Sequence, residues 1–211
     1  RRRLSRPGVA GTMPIHFVPE APMTPTDRTV DLLLLAARLK RLQRTGWVMS
    51  SVANPETIAA HSYGTVLITL LLLDLIDEPL DRAKALAMAV IHDLPEAVLG
   101  DVPTPATRHM PQGCKAAAEA GILGDMCEDV PAAANWCELW EEFAARKTRE
   151  ALLVNDADKL DMFLQATIYG NNGHSETARF WGQVDHYPWT FAASQELLEG
   201  IGMRRRGMGL T

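Results

Sequence analysis

Six ionisable residues set among apolar neighbours carry most of the chemical information in this chain of 211 residues. In "AVIHDLPEAVLGDV", residues 89–102, the pair His92–Asp93 is followed by Glu96 and Asp101. Buried charge is costly unless it is paired or bound to a metal. On a helix, His92 and Glu96 lie four apart and Asp93 and Glu96 three apart, so their side chains can face a common site. A His with an adjacent Asp supplies the mixed nitrogen and oxygen donors used by zinc, manganese, iron and cobalt. The dipeptide alone is weak, because a capped or surface pair has the same sequence. His61 in "PETIAAHSYG" and Asp158 in "LLVNDADKLDMFLQA" repeat the pattern of a polar residue on an apolar helix. Singly, each reads as a satisfied polar residue. Together, they describe several helices each turning one polar side chain inward, which is how helical bundles build metal sites. A divalent ion lowers the pKa of bound water from 15.7 toward about 7. With Arg44, it can also neutralise charge on a phosphoryl group. Glu96 then orients the attacking water or assists the leaving oxygen, and Asp101 holds or protonates that oxygen.

The frame that must position these residues is helical throughout. Nearly every periodic segment has the helical period, and no convincing alternating strand appears. The first long helix is predicted over 27–44, entered through Pro25 and Thr26, closed at Gly46, with Val30, Leu33, Leu34, Ala37, Leu39 and Leu42 on its apolar face. A second starts at Pro55 and runs to Ile76. A third covers 80–92, continued through a kink or restarted at Pro95, and "DVPTPATRHMPQG" is largely irregular. Helices follow near 114–127, 131–145 and 148–169, then a weaker one around 175–183 and a last one over 189–201. The expected fold is a compact all-α single-domain bundle over 25–202, with a flexible arm at 1–24 and a flexible basic tail at 203–211. An Arg-rich start without Met reads as vector-derived, upstream or disordered sequence.

Composition narrows the partners. The content is 47% hydrophobic and 22% charged, as in an ordinary globular protein. The net charge of −5 includes seven arginines at the two ends (1, 2, 3, 6 and 204–206), so the body between them is more acidic still. Such a body is a poor electrostatic match for nucleic acid. The longest apolar run, 66–73, is far short of the roughly 20 residues of a membrane span. Cys114, Cys127 and Cys137 lack CxxC spacing and read as free thiols in a reducing cytoplasm.

The order His61 … His92–Asp93 … Asp158 resembles the signature of the HD-domain metal-dependent phosphohydrolases. The blocks "LKRLQRTGWVM", "NPETIAAHSYG", "AVIHDLPEAVLGDVPTP", "LWEEF" and "NDADKLDMFLQA" resemble successive blocks of their 5′-deoxynucleotidase branch. The resemblance implies an HD-type bundle that removes the 5′-phosphate from (deoxy)nucleoside monophosphates. It implies one divalent ion (Co, Mn, Zn, Fe, Ni or Mg) on His61, His92, Asp93 and Asp158, with Asp156 the competing choice for the last ligand. It further implies Glu96 as catalytic acid or base, Asp101 as a second essential acid and Arg44 on the substrate phosphate. Trp47 falls near the sugar, Glu56 supports the site from behind, and a homodimer is expected. Two departures, Ala60 before the first ligand His and Ser50 after the Trp block, put the phosphate and sugar contacts in question. They keep open a triphosphohydrolase on the same fold, and a non-catalytic metal- or nucleotide-binding protein is the remaining reading.

Several of these residues also have plain explanations. Arg44 at a helix C-terminus would complement the macrodipole, and Trp47 would serve equally as core. Lys159 either touches phosphate or neutralises the acidic cluster. Trp136, Trp140 and Phe143 have the spacing of packing residues, at the core or a subunit interface. His109, His174 and His186 fall in loop or helix-end contexts.

Overall fold

The computed structural model describes residues 23–207. The expected N-terminal arm up to residue 22 and the end of the expected tail, 208–211, lie outside the described residues. The expected all-α bundle is what the chain forms: no strand occurs among the described residues, and the sole bridge pairs Gln43 with Thr57.

Helix α1 spans Pro25–Ala36, opened by Thr24 in a reciprocal capping box with Asp27. It stops eight residues before the predicted end. A 3-10 turn, Ala37–Lys40, follows. The chain then runs antiparallel to the segment before the next long helix: Arg44 N–H donates to Glu56 O (3.1 Å) and Ile58 N–H to Leu42 O (2.8 Å). This pairing captures backbone groups that a longer helix would have used. The predicted apolar face is also displaced, since Leu32 is the buried residue of α1 while Val30, Leu33 and Leu34 are exposed.

One-turn helix α2, Thr45–Val48, leads to α3, Ile58–Leu75, which starts three residues after the predicted Pro55 and is capped by Thr57. By composition α3 is long and apolar enough to cross a membrane, with a mean hydropathy of 1.6. In the fold it is a central helix, burying Ile58, His61, Thr65, Ile68, Thr69, Leu72 and Leu73. Helix α4, Arg82–Ile91, starts on Asp81 and ends before His92. The pattern restarts as α5, Glu96–Leu99, with Pro95 at its N-cap. Proline has no N–H to continue the ladder, so the turn 92–95 is where the helix must break.

Gly100, at φ 79°, ends α5 in a conformation that favours glycine. Within the expected irregular stretch lies one helical turn, α6, Thr104–Thr107. Helix α7 spans Cys114–Cys127 as predicted; a 3-10 turn at Pro131–Ala133 precedes α8, Trp136–Ala144. Helix α9, Arg149–Asn171, is capped by Thr148. A 3-10 turn at Ser175–Thr177, α10 at Ala178–Trp181 and a 3-10 turn at Val184–His186 divide the weak helix into pieces. The last helix, α11, spans Ala192–Gly207. The expected basic tail is therefore helical through Gly207, with Arg205 lying over the Trp181 ring (5.1 Å).

The α3–α9 contact is the most extensive in the bundle, and the two helices run antiparallel, since Glu56 N–H donates to Tyr169 Oη (2.7 Å) at one end. A core of Leu72, Met88, Leu153, Val154, Leu160 and Phe191 joins α3, α4, α9 and α11. A second, with Ile58, Ile91, Leu94, Leu123 and Trp140, holds α7 and α8 against the 92–95 turn.

Candidate active site

His61 projects from the second turn of α3 and is fully buried. His92 and Asp93 sit on the turn that Pro95 enforces, and Asp158 lies near the middle of α9. Their donor atoms converge. His61 Nε2 lies 3.2 Å from Asp158 Oδ1, 3.5 Å from His92 Nε2 and 3.6 Å from Asp93 Oδ2, and His92 Nε2 lies 3.3 Å from Asp93 Oδ2. Donors held about 2.1 Å from one divalent ion stand roughly 3.0–3.5 Å apart; His61, His92 and Asp158 place their donor atoms close enough together to share such an ion, and Asp93 Oδ2 stands beside both histidines. Asp93 Oδ2 is buried and has no hydrogen-bond partner despite these neighbours, as expected of an atom whose proper partner is a cation.

Each histidine is oriented from behind. His92 Nδ1 faces Ala89 O at 2.8 Å and His61 Nδ1 faces Asp161 Oδ2 at 2.7 Å. Trp140 Nε1–H donates to the His92 carbonyl (3.0 Å), and the Phe143 ring stands edge-on to the His92 ring at 5.6 Å. "LWEEF" therefore braces a site histidine, and a subunit-interface role for Trp140 is excluded by its burial.

Asp93 and Asp158 line a cleft of 660 Å³, within the range of small-molecule sites, and His61 and His92 are buried beside them. Asp101, Arg44, Trp47, Glu96 and Lys159 also line it. Arg44 Nη1 is 3.5 Å from Asp93 Oδ2. It occupies the N-cap of α2, not the C-terminus of α1. A cation there opposes the helix dipole, which removes the macrodipole explanation. Burial works against its charge, and the carboxylates of Asp93, Asp158, Asp101 and Glu56 more than offset it.

Trp47 is buried, with its ring 4.3 Å from Phe180 and its Nε1–H donating to Glu56 Oε1 (2.7 Å). It is core and cleft wall at once. Lys159 Nζ pairs with Asp158 Oδ2 at 3.1 Å. Asp156 faces away: its Oδ2 accepts from Thr190 N–H (3.1 Å) and Phe191 N–H (3.2 Å), tying α9 to the start of α11.

Burial, together with the nearby Asp93 and Asp101 carboxylates, pushes the Glu96 carboxyl up to about 9, while Lys115 (3.5 Å) pulls it the other way. Glu96 Oε2 is a second buried oxygen without a partner. Burial opposes the His92 charge, but Asp93 prevails and raises it to about 9. The same pairing, with His61 and Arg44, overcomes burial and holds Asp93 well below the usual carboxylate range. Asp101 lines the same cleft, with one oxygen committed: Oδ2 accepts from Thr45 N–H at 2.6 Å, and its backbone O accepts from Thr45 Oγ1 at 2.8 Å.

A family model described as "HD domain" matches residues 36–189. The chain belongs to the HD-domain family. This HD domain is 32% identical over 142 residues to the 5′-deoxynucleotidase HDDC2 of Bos taurus, covering 66% of the chain and 67% of that protein. It is 34% identical over 153 residues to the namesake from Dictyostelium discoideum, covering 69% and 79%. Among solved structures, it resembles a conserved hypothetical protein from Pyrococcus furiosus with a TM-score of 0.71 and 39% identity, covering 84% of this chain and 99% of that one.

Residues that the sequence did not single out also stand at the site. Asp161 is one; its place three residues after Asp158, on the same helix face, was the available signal. Arg108, Lys115, Arg179, Gln183 and His186 line the cleft. They come from separate segments with no shared spacing, so no sequence signal united them.

Proposed function

We propose that this HD domain is a divalent-metal phosphohydrolase that removes the 5′-phosphate from (deoxy)nucleoside monophosphates. The observation that carries the reading is the convergence of metal-type donors from His61, His92, Asp93 and Asp158 beside a cleft that also presents Arg44, with a buried carboxylate oxygen on Asp93 that has charged neighbours but no hydrogen bond. His61, His92, Asp93 and Asp158 would hold the ion. Two imidazoles and two carboxylates suit Mn, Fe, Co, Ni or Zn better than Mg. When bound, the ion supplies Lewis-acid polarisation of the phosphoryl group and acidifies water.

The chain's own residues do the rest. Arg44 and Lys159 bind the phosphate oxygens, and Trp47 walls the sugar end. Glu96, its carboxyl raised by burial, carries a proton to the leaving 5′-oxygen. As water oxygen bonds to phosphorus, the P–O5′ bond breaks with its electron pair on O5′, which takes the Glu96 proton; the attacking water's proton leaves with the phosphate or restores Glu96, giving nucleoside and inorganic phosphate. Asp101 holds the turn that carries Arg44 and Trp47, and Glu56 anchors the Trp47 indole. The two departures lie away from the chemistry: Ser50 Oγ–H donates to Gly46 O within its own turn (3.0 Å), and Ala60 is exposed. Neither lines the cleft, so neither favours a triphosphohydrolase.

The direct test is phosphate release from a nucleotide panel by chelator-stripped protein re-supplied with Co²⁺, Mn²⁺ or Mg²⁺. Release of one phosphate per monophosphate is expected. Hydrolysis of nothing in the panel with any ion refutes the reading, and release of intact triphosphate redirects it.

We further propose a homodimer and a cytoplasmic setting. Support for the first is an exposed apolar stripe along α3, Tyr63, Leu67, Leu71 and Leu75, one residue per turn. Leu71→Glu should convert a dimer to monomer in light scattering. Support for the second is three unpaired cysteines.

A further inference from the structure

Asp161 makes the shortest contact to either site histidine, 2.7 Å from Oδ2 to His61 Nδ1. His61 Nε2 faces Asp158, Asp93 and His92, so a ligand role requires its lone pair on that side and its proton on Nδ1. A buried Nδ1–H needs an acceptor. For His92 the acceptor is a backbone carbonyl of its own helix, whereas for His61 it is a carboxylate delivered across the interface from α9.

That delivery depends on Gly64. A Cβ at position 64 would lie 1.9 Å from Asp161 Oδ1 and 2.7 Å from its Cγ. Any side chain there would therefore evict the carboxylate. Gly64 lies inside α3 with an ordinary helical backbone, where glycine costs up to about 1 kcal/mol relative to alanine. Conformational freedom does not account for it. The space it leaves does.

The grouping Glu56, His61 and Asp161 is no second ion site. Nδ1 and Oδ2 are already hydrogen-bonded at 2.7 Å, and Glu56 Oε1 is taken by Trp47. A metal on both imidazole nitrogens would also require the ring to lose its last proton.

We propose that Asp161 is the positioning residue for the ligand His61, and that Gly64 is the notch that admits it. His61-x-x-Gly64 on α3 and Asp158-x-x-Asp161 on α9 thereby form one device: two members donate toward the ion, and two fix the imidazole's tautomer and direction. This rests on the proposed metal reading.

The test uses chelator-stripped full-length protein with Co²⁺ as probe. Co²⁺ affinity is measured by chelator competition for wild type, Asp161→Ala, Asp161→Asn, Gly64→Ala and the Gly64→Ala/Asp161→Ala double variant. The expected loss for Asp161→Ala is roughly 10–100-fold, the usual effect of removing such a partner. Asp161→Asn, which keeps an acceptor, should lose less. Gly64→Ala should match Asp161→Ala, and the double variant should be no worse than either. Proton NMR of the Co²⁺-loaded protein supplies a readout that general destabilisation would not give. Wild type should show two exchangeable, hyperfine-shifted ring N–H lines; Asp161→Ala should lose or move one and keep the His92 line. Co²⁺ affinity within twofold of wild type, both lines unmoved, or losses that multiply in the double variant would each overturn the proposal. If Gly64→Ala fails to fold, the Asp161 pair still decides. Wild type that binds Co²⁺ yet hydrolyses no nucleotide would overturn only the proposed function; wild type that takes up no Co²⁺ would overturn both.

Discussion

Replacing Asp101 separates two roles that one carboxylate can play. Its Oδ2 accepts from Thr45 N–H at 2.6 Å and its backbone carbonyl from Thr45 Oγ1 at 2.8 Å. Thr45 is the first residue of α2, next to Arg44 and two residues before Trp47. A charged acceptor on a partly buried N–H contributes about 1.5–3 kcal/mol, and water entering from the open cleft offsets part of any loss. Asp101→Ala should therefore weaken the presentation of Arg44 by about 2 kcal/mol, close to 30-fold in kcat/KM. A neutral acceptor recovers about 1 kcal/mol, so Asp101→Asn should lose only about fivefold. The assay is steady-state phosphate release at saturating metal, with thermal unfolding of each variant alongside. Most of the loss should appear in KM, with kcat within a few-fold of wild type. If Ala and Asn both lost more than about a thousandfold in kcat at unchanged KM, Asp101 would be a proton-transfer group and the positioning argument would be wrong.

Glu96→Gln should lower kcat by at least about a hundredfold with metal content by elemental analysis unchanged, and wild-type turnover would remove Glu96 from the chemistry. Chelator-stripped protein should lose stability as pH rises from about 5 to 9. His92 is held at about 9 against an ordinary 6.5, so its protonation stabilises the fold fully below 6.5 and ceases to do so as pH passes 9. Glu96, also at about 9, stays neutral in the fold while the unfolded chain ionises near 4.5, which acts in the same direction. Urea midpoints across that range measure the trend, and a rise in stability with pH would contradict it. Trp47→Phe removes a 2.7 Å bond to Glu56 from a fully packed site and should cost about 2 kcal/mol or more in urea unfolding; an unchanged midpoint would place Trp47 outside the core.

What the sequence determined by itself is what local chemistry encodes. Helical periodicity and the break at Pro95 are written in neighbours a few residues apart, so the all-α class and the place of most helices were legible. The ligand-type residues were legible because a polar side chain on an apolar helix stands out against its surroundings. Contacts between distant segments decided the rest. The early end of α1 follows from Leu42 and Arg44 pairing with residues 56–58, and periodicity gives no sign of a competing backbone partner. Asp156 and Asp158 are equivalent in sequence; only the 100° rotation per residue along α9 turns one toward α11 and the other toward His61. Asp161 carried a weak local signal in its spacing from Asp158, but its pairing with Gly64 was invisible for the same reason. Ninety-seven residues separate them, and the meaning of a missing Cβ exists only once a carboxylate fills the space it leaves.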